Sequence, residues 1–72
     1  MTFEYLLNNI DFEGGLLINV WDEDLEKYII NEADYDELDK ADQLSLYPLT
    51  VARIYPFNYD IYAAVTVELL TH

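Results

Sequence analysis

Residues 61–70 alternate between two sets of side chains with a period of two, which is the clearest structural pattern in the chain. The two sets are Ala63, Val65, Val67 and Leu69 on one side and Tyr62, Ala64, Thr66 and Glu68 on the other. Such alternation is typical of a β-strand with one face toward a core. Because an isolated strand or hairpin is at best marginally stable, further strands and covering helices are expected elsewhere in the chain.

Three further segments have strand character, namely residues 16–21, 26–31 and 49–55. In the first of them, Leu16, Ile18 and Val20 share one face. Residues 22–25 form a polar connection of hairpin length between the first two strands. Pro56-Phe57-Asn58-Tyr59-Asp60 is expected to be a five-residue hairpin loop between the last two.

Two helices complete the pattern. Thr2 can cap a helix over residues 3–10. The two consecutive glycines Gly14 and Gly15 would stop this helix from continuing. A second helix is expected from residue 32 to 47, with Asp34 as its N-cap and Pro48 barring its continuation. The order α-β-β-α-β-β predicts an α+β fold, a four-stranded antiparallel sheet with two helices on one face. Residues 1–72 are expected to form a single compact domain.

The net charge of -12 is large for 72 residues, since fifteen acidic side chains face only Lys27, Lys40 and Arg53. Ten of the acids lie between positions 22 and 42: Asp22, Glu23, Asp24, Glu26, Glu32, Asp34, Asp36, Glu37, Asp39 and Asp42. Repulsion between like charges argues against direct binding to nucleic acid or to an anionic membrane. A basic protein surface, or a divalent cation, is the expected counterpart of this charge.

The acids of the predicted second helix are as closely spaced as phosphates. Nine helical residues from Asp34 to Asp42 would rise about 13 Å and carry five carboxylates, or one charge per roughly 3 Å. One DNA strand carries a charge per about 3.4 Å. Such a helix could compete with nucleic acid for the Lys and Arg side chains of a protein. The alternative is that these acids only solvate an aromatic-rich domain.

No specific metal site, cofactor or catalytic residue is expected, although so many carboxylates should bind divalent cations weakly. The acids from Asp22 to Glu26 alternate like the first ligands of an EF-hand loop, but Lys27 replaces its glycine and Ala33 its bidentate glutamate. The chain has no cysteine and its one histidine is the C-terminal His72, so the usual nucleophile–base pairs are nearly absent from the sequence.

Aromatic residues fall into two groups. One is expected in the core and comprises Phe3, Trp21, Tyr28 and Tyr35. The other clusters around the second hairpin and comprises Tyr55, Phe57, Tyr59 and Tyr62. Because tyrosine and phenylalanine often anchor interfaces, Tyr55, Phe57 and Tyr59 form a second candidate surface for a partner, or for a second copy of the chain in a homodimer.

The stretch Asp34-Tyr35-Asp36-Glu37-Leu38-Asp39, in a short, tyrosine-rich chain without cysteine, resembles the small acidic proteins of phages and mobile elements of Gram-positive bacteria. The whole chain is similar in overall character to the anti-CRISPR and anti-restriction inhibitors that imitate DNA. This resemblance implies a CRISPR nuclease such as Cas9 as the target, blocked before it engages DNA. The alternative is an accessory or assembly protein of a mobile element that binds through the aromatic hairpin.

The sequence also gives an expectation for the cellular compartment of the protein. The N-terminus has no positive region before its apolar residues, so a signal peptide is not expected. No apolar run approaches the roughly 20 residues that span a membrane. A cytoplasmic protein of an infected bacterial host is therefore expected.

Overall fold

The computed structural model describes residues 1–10, 15–59 and 62–71, with only the backbone described at 56–59, 62 and 63. Its helices are α1 (Phe3–Asn9) and α2 (Lys40–Leu46), with a short 3-10 helix at Tyr35–Glu37. Its strands are β1 (Gly15–Asp22), β2 (Lys27–Asp34), β3 (Thr50–Tyr59) and β4 (Tyr62–Leu70). Within this part of the chain, neither α-helix is long and apolar enough to cross a bilayer.

The α+β fold with two helices, four strands and the order α-β-β-α-β-β is confirmed. The sheet order is β2-β1-β4-β3, and its central pair, β1 and β4, is parallel whereas the two outer pairs are antiparallel. The parallel pair arises because the chain crosses the sheet between the hairpins. Thr50 pairs with Leu70, which lies beside Trp21, so β3 starts where β1 ends and β4 then runs in the direction of β1.

The core lies between the helices and one face of the sheet. Its fully or nearly buried members are Phe3, Leu6, Leu16, Ile18, Val20, Leu46, Val67 and Leu69. The apolar set predicted for β1 therefore faces the helices, and so do Val65, Val67 and Leu69 of the set predicted for β4. The Thr2 hydroxyl accepts a hydrogen bond from the amide of Tyr5 at 3.2 Å and so caps α1 as expected. The amide of Phe3 donates to the carbonyl of Leu49, which ties α1 to the start of β3.

The prediction of one helix from residue 32 to 47 is wrong. β2 continues to Asp34, the 3-10 helix follows, and α2 begins only at Lys40. Each short helix has its own cap: Asp34 Oδ1 accepts from the amide of Asp36 at 3.0 Å, and Asp39 Oδ1 from that of Asp42 at 2.8 Å. Two capping aspartates five residues apart favour two helix starts, and pairing with β1 holds residues up to Asp34 in a strand.

The predicted loop at residues 56–60 is also wrong. β3 continues to Tyr59, which pairs with Tyr62, and residues 60 and 61 lie outside the described ranges. Pro56 is tolerated within β3 because an edge strand needs ladder hydrogen bonds on one side only.

Candidate functional site

The second face of the sheet, opposite the core, carries a layer of polar and aromatic side chains. None of the described helices packs on it, since their buried residues belong to the core on the other face. Asn19 and Thr66 on this face are nevertheless only 5% and 2% exposed. Two tyrosines, Tyr28 and Tyr55, reach inward over this face from the outer strands.

Tyr28 reaches from β2 across β1 to β4. Its hydroxyl donates to Glu68 Oε1 at 2.6 Å, and its ring meets the Trp21 ring edge-on, with centroids 4.9 Å apart. The hydrogen bond to Glu68 raises the pKa of Tyr28, and desolvation and the Glu68 charge raise it further. Arg53 Nε lies 3.9 Å from Glu68 Oε2, so this carboxylate has a partner from each outer strand.

Tyr55 reaches inward from β3 in the same way. Asn19 Nδ2 donates to the Tyr55 hydroxyl at 3.0 Å, while Asn19 Oδ1 accepts from the amide of Glu32 at 2.6 Å. Glu32 belongs to an irregularity in β2, where the pairing passes from Ile18–Ala33 to Val20–Ile30, and its φ is 53°. The Asn19 side chain therefore supplies the hydrogen bond that a regular ladder partner would have given.

The turn between β1 and β2, residues 23–26, is held by Asp22. Its Oδ1 accepts from the amides of Asp24 and Leu25 at 2.9 and 3.0 Å. Large apolar side chains are exposed at and just after this turn: Leu25 is 60% exposed, Tyr28 43% and Ile29 49%. We call Trp21, Leu25, Tyr28 and Ile29 the hairpin patch.

The structure places the ten acids of the candidate surface in two groups. Asp22, Glu23, Asp24 and Glu26 lie at the β1–β2 turn, and Glu32, Asp34, Asp36, Glu37, Asp39 and Asp42 lie at the other end of β2 and beyond it. Glu26 and Glu32, the nearest members of the two groups, are six residues apart in the chain, which is at most about 20 Å along an extended strand. Asp22 and Asp34 are half-buried and the other eight are exposed. Three of the ten, Asp22, Asp34 and Asp39, accept backbone hydrogen bonds that shape the chain locally.

The second candidate surface is described only in part. Tyr55 is half-buried with its hydroxyl bonded to Asn19, whereas the side chains of Phe57 and Tyr59 lie outside the described residues. His72 also lies outside them. Among the side chains that are described, no group of three His, Cys, Asp or Glu residues is arranged to hold a metal ion.

The expectation that four aromatic residues share the core is only partly correct. Phe3 and Tyr35 pack edge-on at 5.6 Å on the helix side. Trp21 and Tyr28 lie instead on the second face, and the core assignment of Tyr28 is wrong. The alternation of β1 places Asn19 opposite the core, but nothing in the sequence marks it as the hydrogen-bond partner of Glu32 and Tyr55.

No family model, curated protein or solved structure matches this chain. A function must therefore be argued from the residues and geometry of the chain itself.

Proposed function

We propose that the chain is a stoichiometric inhibitor that occupies a basic nucleic-acid-binding surface on a bacterial defence protein, with a Cas9-type CRISPR nuclease as its target. The observation that carries the proposal is the set of eight exposed carboxylates between positions 22 and 42, where Lys27 and Lys40 are the only basic residues. The target class comes from the resemblance in overall character. Such a target places the protein in the cytoplasm of an infected bacterium.

The charge distribution supports a basic partner. Like charges held close together repel and lower stability, and a basic surface that binds them relieves this repulsion. Solubility alone calls for a net charge of magnitude about 2–8 in a small domain, well short of the -12 of this chain. The excess is therefore a cost that binding to a basic surface can offset.

The division of the acids into two groups changes how the chain would imitate the charges of a DNA backbone. The single acidic helix expected from the sequence is replaced by two groups of charges along β2, at most about 20 Å apart at their nearest members, Glu26 and Glu32. That separation corresponds to about six phosphate spacings of one DNA strand. The groups sit on backbone fixed by Asp22 and Asp39, so little conformational freedom is lost when they bind.

The proposal is tested by single charge reversals at exposed acids that cap nothing. E23K and E37K probe the two groups, and E4K makes the same charge change on α1 as the matched control. The measurement is displacement of DNA from a purified Cas9-type nuclease bound to its guide RNA, at two salt concentrations. Wild type and E4K should displace DNA more weakly as salt rises, and E23K and E37K should be weaker than both. Equal displacement by all four proteins contradicts the proposal.

A further inference from the structure

We propose that the hairpin patch is the contact centre of this interface and that it binds an arginine-rich segment of the partner protein. The inference rests on the proposed function, because it assumes a basic partner. It deepens that function by assigning the contact to Leu25, Tyr28 and Ile29, with arginine as the residue they recognise.

The exposure of these side chains motivates the assignment. Three large apolar residues that are 43–60% exposed occur within five positions, 25 to 29. Exposed apolar groups that adjoin one another and are rimmed by charge are typical of protein interaction sites. Here the rim consists of Asp22, Glu23 and Glu26 at the same turn.

The patch is fixed before any partner arrives. The Tyr28 ring is held by the Trp21 ring on one side and by the 2.6 Å hydrogen bond to Glu68 at its hydroxyl. Asp22 fixes the turn by accepting two backbone hydrogen bonds. Because these groups are already ordered, binding costs less side-chain and loop entropy.

Arginine fits this patch better than any other cationic residue. A guanidinium can bind a carboxylate of the rim through two parallel hydrogen bonds, and its planar group can lie on a tyrosine or tryptophan ring. Its methylene stem can pack against Leu25 and Ile29. A lysine ammonium carries the same charge, but it has no planar group that could form two parallel hydrogen bonds or stack on an aromatic ring. The phosphates of nucleic acid or lipid are repelled by the carboxylates of the rim.

The test uses two probe peptides of equal length and charge, an oligo-arginine and an oligo-lysine. Trp21 is the one tryptophan of the sequence, so its fluorescence reports binding at the patch directly. Wild type should bind the arginine peptide about fivefold more tightly than the lysine peptide. The double variant L25S/I29S should lose most of this preference while its weaker binding to the lysine peptide is unchanged. The control L44S removes a leucine from α2 that is 49% exposed, as Ile29 is, and should keep the preference.

The outcomes separate this inference from the proposed function. Equal affinity of wild type for both peptides, or an unchanged preference in L25S/I29S, overturns the role of the hairpin patch. Salt-sensitive binding of both peptides by the same proteins would still support a basic partner. Failure of wild type to bind either peptide at low salt contradicts the proposed function itself.

Discussion

The hydroxyl of Tyr28 lies 2.6 Å from Glu68 Oε1, although the two residues are 40 positions apart in the chain and β1 runs between their strands. Asn19 and Tyr55 make the corresponding link from the other outer strand. Side chains from β2 and β3 thus lie over the two central strands where a second layer of helices would otherwise be needed. The second face is therefore a structural layer as well as a candidate binding surface.

Glu68 is expected to control the titration of Tyr28. Because the hydrogen bond and the negative charge both favour the neutral phenol, E68Q should lower the Tyr28 pKa toward its ordinary value of 10.0. The measurement is the pH dependence of tyrosinate absorbance, with Y28F subtracted to isolate this residue. Because the pKa is raised in the folded state, the interaction stabilises the protein below pH 10 and is lost as pH rises through the folded pKa. Identical Tyr28 titrations in wild type and E68Q would show that the hydrogen bond does not form in solution.

Asn19 should matter more for stability than its hydrogen-bond partner Tyr55. N19A leaves the amide of Glu32 without an acceptor in a half-buried position and should lower the free energy of unfolding by about 2–3 kcal/mol. Y55F removes one hydroxyl and should cost about 1 kcal/mol. Urea unfolding of both variants measures the difference. Equal losses would mean that the bond to the β2 irregularity contributes nothing beyond the bond to Tyr55.

The raised pKa of Tyr35 predicts that the protein loses stability at high pH. Burial, followed by a hydrogen bond to Tyr47, raises the pKa of Tyr35 from 10.0 to about 12. Between these values the unfolded chain has released the proton and the folded chain retains it, so the free energy of unfolding falls as pH rises across the window. Y35F should show a smaller fall in urea unfolding, whereas Y5F, at an exposed position of α1, should behave as wild type. A fall in Y35F as steep as in wild type would assign the effect to other groups.

The acidic residues differ in how much they contribute to the stability of the fold. D39A removes the cap of α2 and should cost about 1 kcal/mol of stability, whereas D39N keeps an oxygen that can accept from Asp42 and should cost less. E37Q, at an exposed position, should change stability by less than about 0.5 kcal/mol. Thermal unfolding of the three variants checks this order. A loss in E37Q as large as in D39A would show that the carboxylates stabilise the fold through their charge.

Glu26 adopts a left-handed backbone conformation, with φ at 52°. Glycine adopts this conformation without a steric penalty, so E26G should raise the free energy of unfolding by up to about 1 kcal/mol. E26Q removes the same charge and keeps the penalty, which makes it the matched control. If E26Q stabilises the protein as much as E26G, relief of charge repulsion is responsible and the backbone is not.

The period-two pattern predicted the core correctly where the signal is local. It placed Leu16, Ile18 and Val20 on one face of β1, and it did the same for Val67 and Leu69 in β4. It could not reveal that Asn19 would accept a hydrogen bond from Glu32, because that contact depends on an irregularity in β2. A residue at a strand irregularity cannot be recognised from an alternating pattern, because that pattern assumes regular pairing.

The sequence by itself determined the order of two helices and four strands, the apolar faces of β1, β4 and α1, and the excess of acid between positions 22 and 42. These depend on residue order and on intrinsic preferences that act over a few residues. Only the tertiary structure decided that β1 and β4 lie parallel at the centre of the sheet, that Ala33 and Asp34 pair with β1 instead of belonging to a helix, and that the acids form two groups. The physical reason is that strand pairing joins residues far apart in sequence, and its hydrogen bonds and burial outweigh the local preference for a helix.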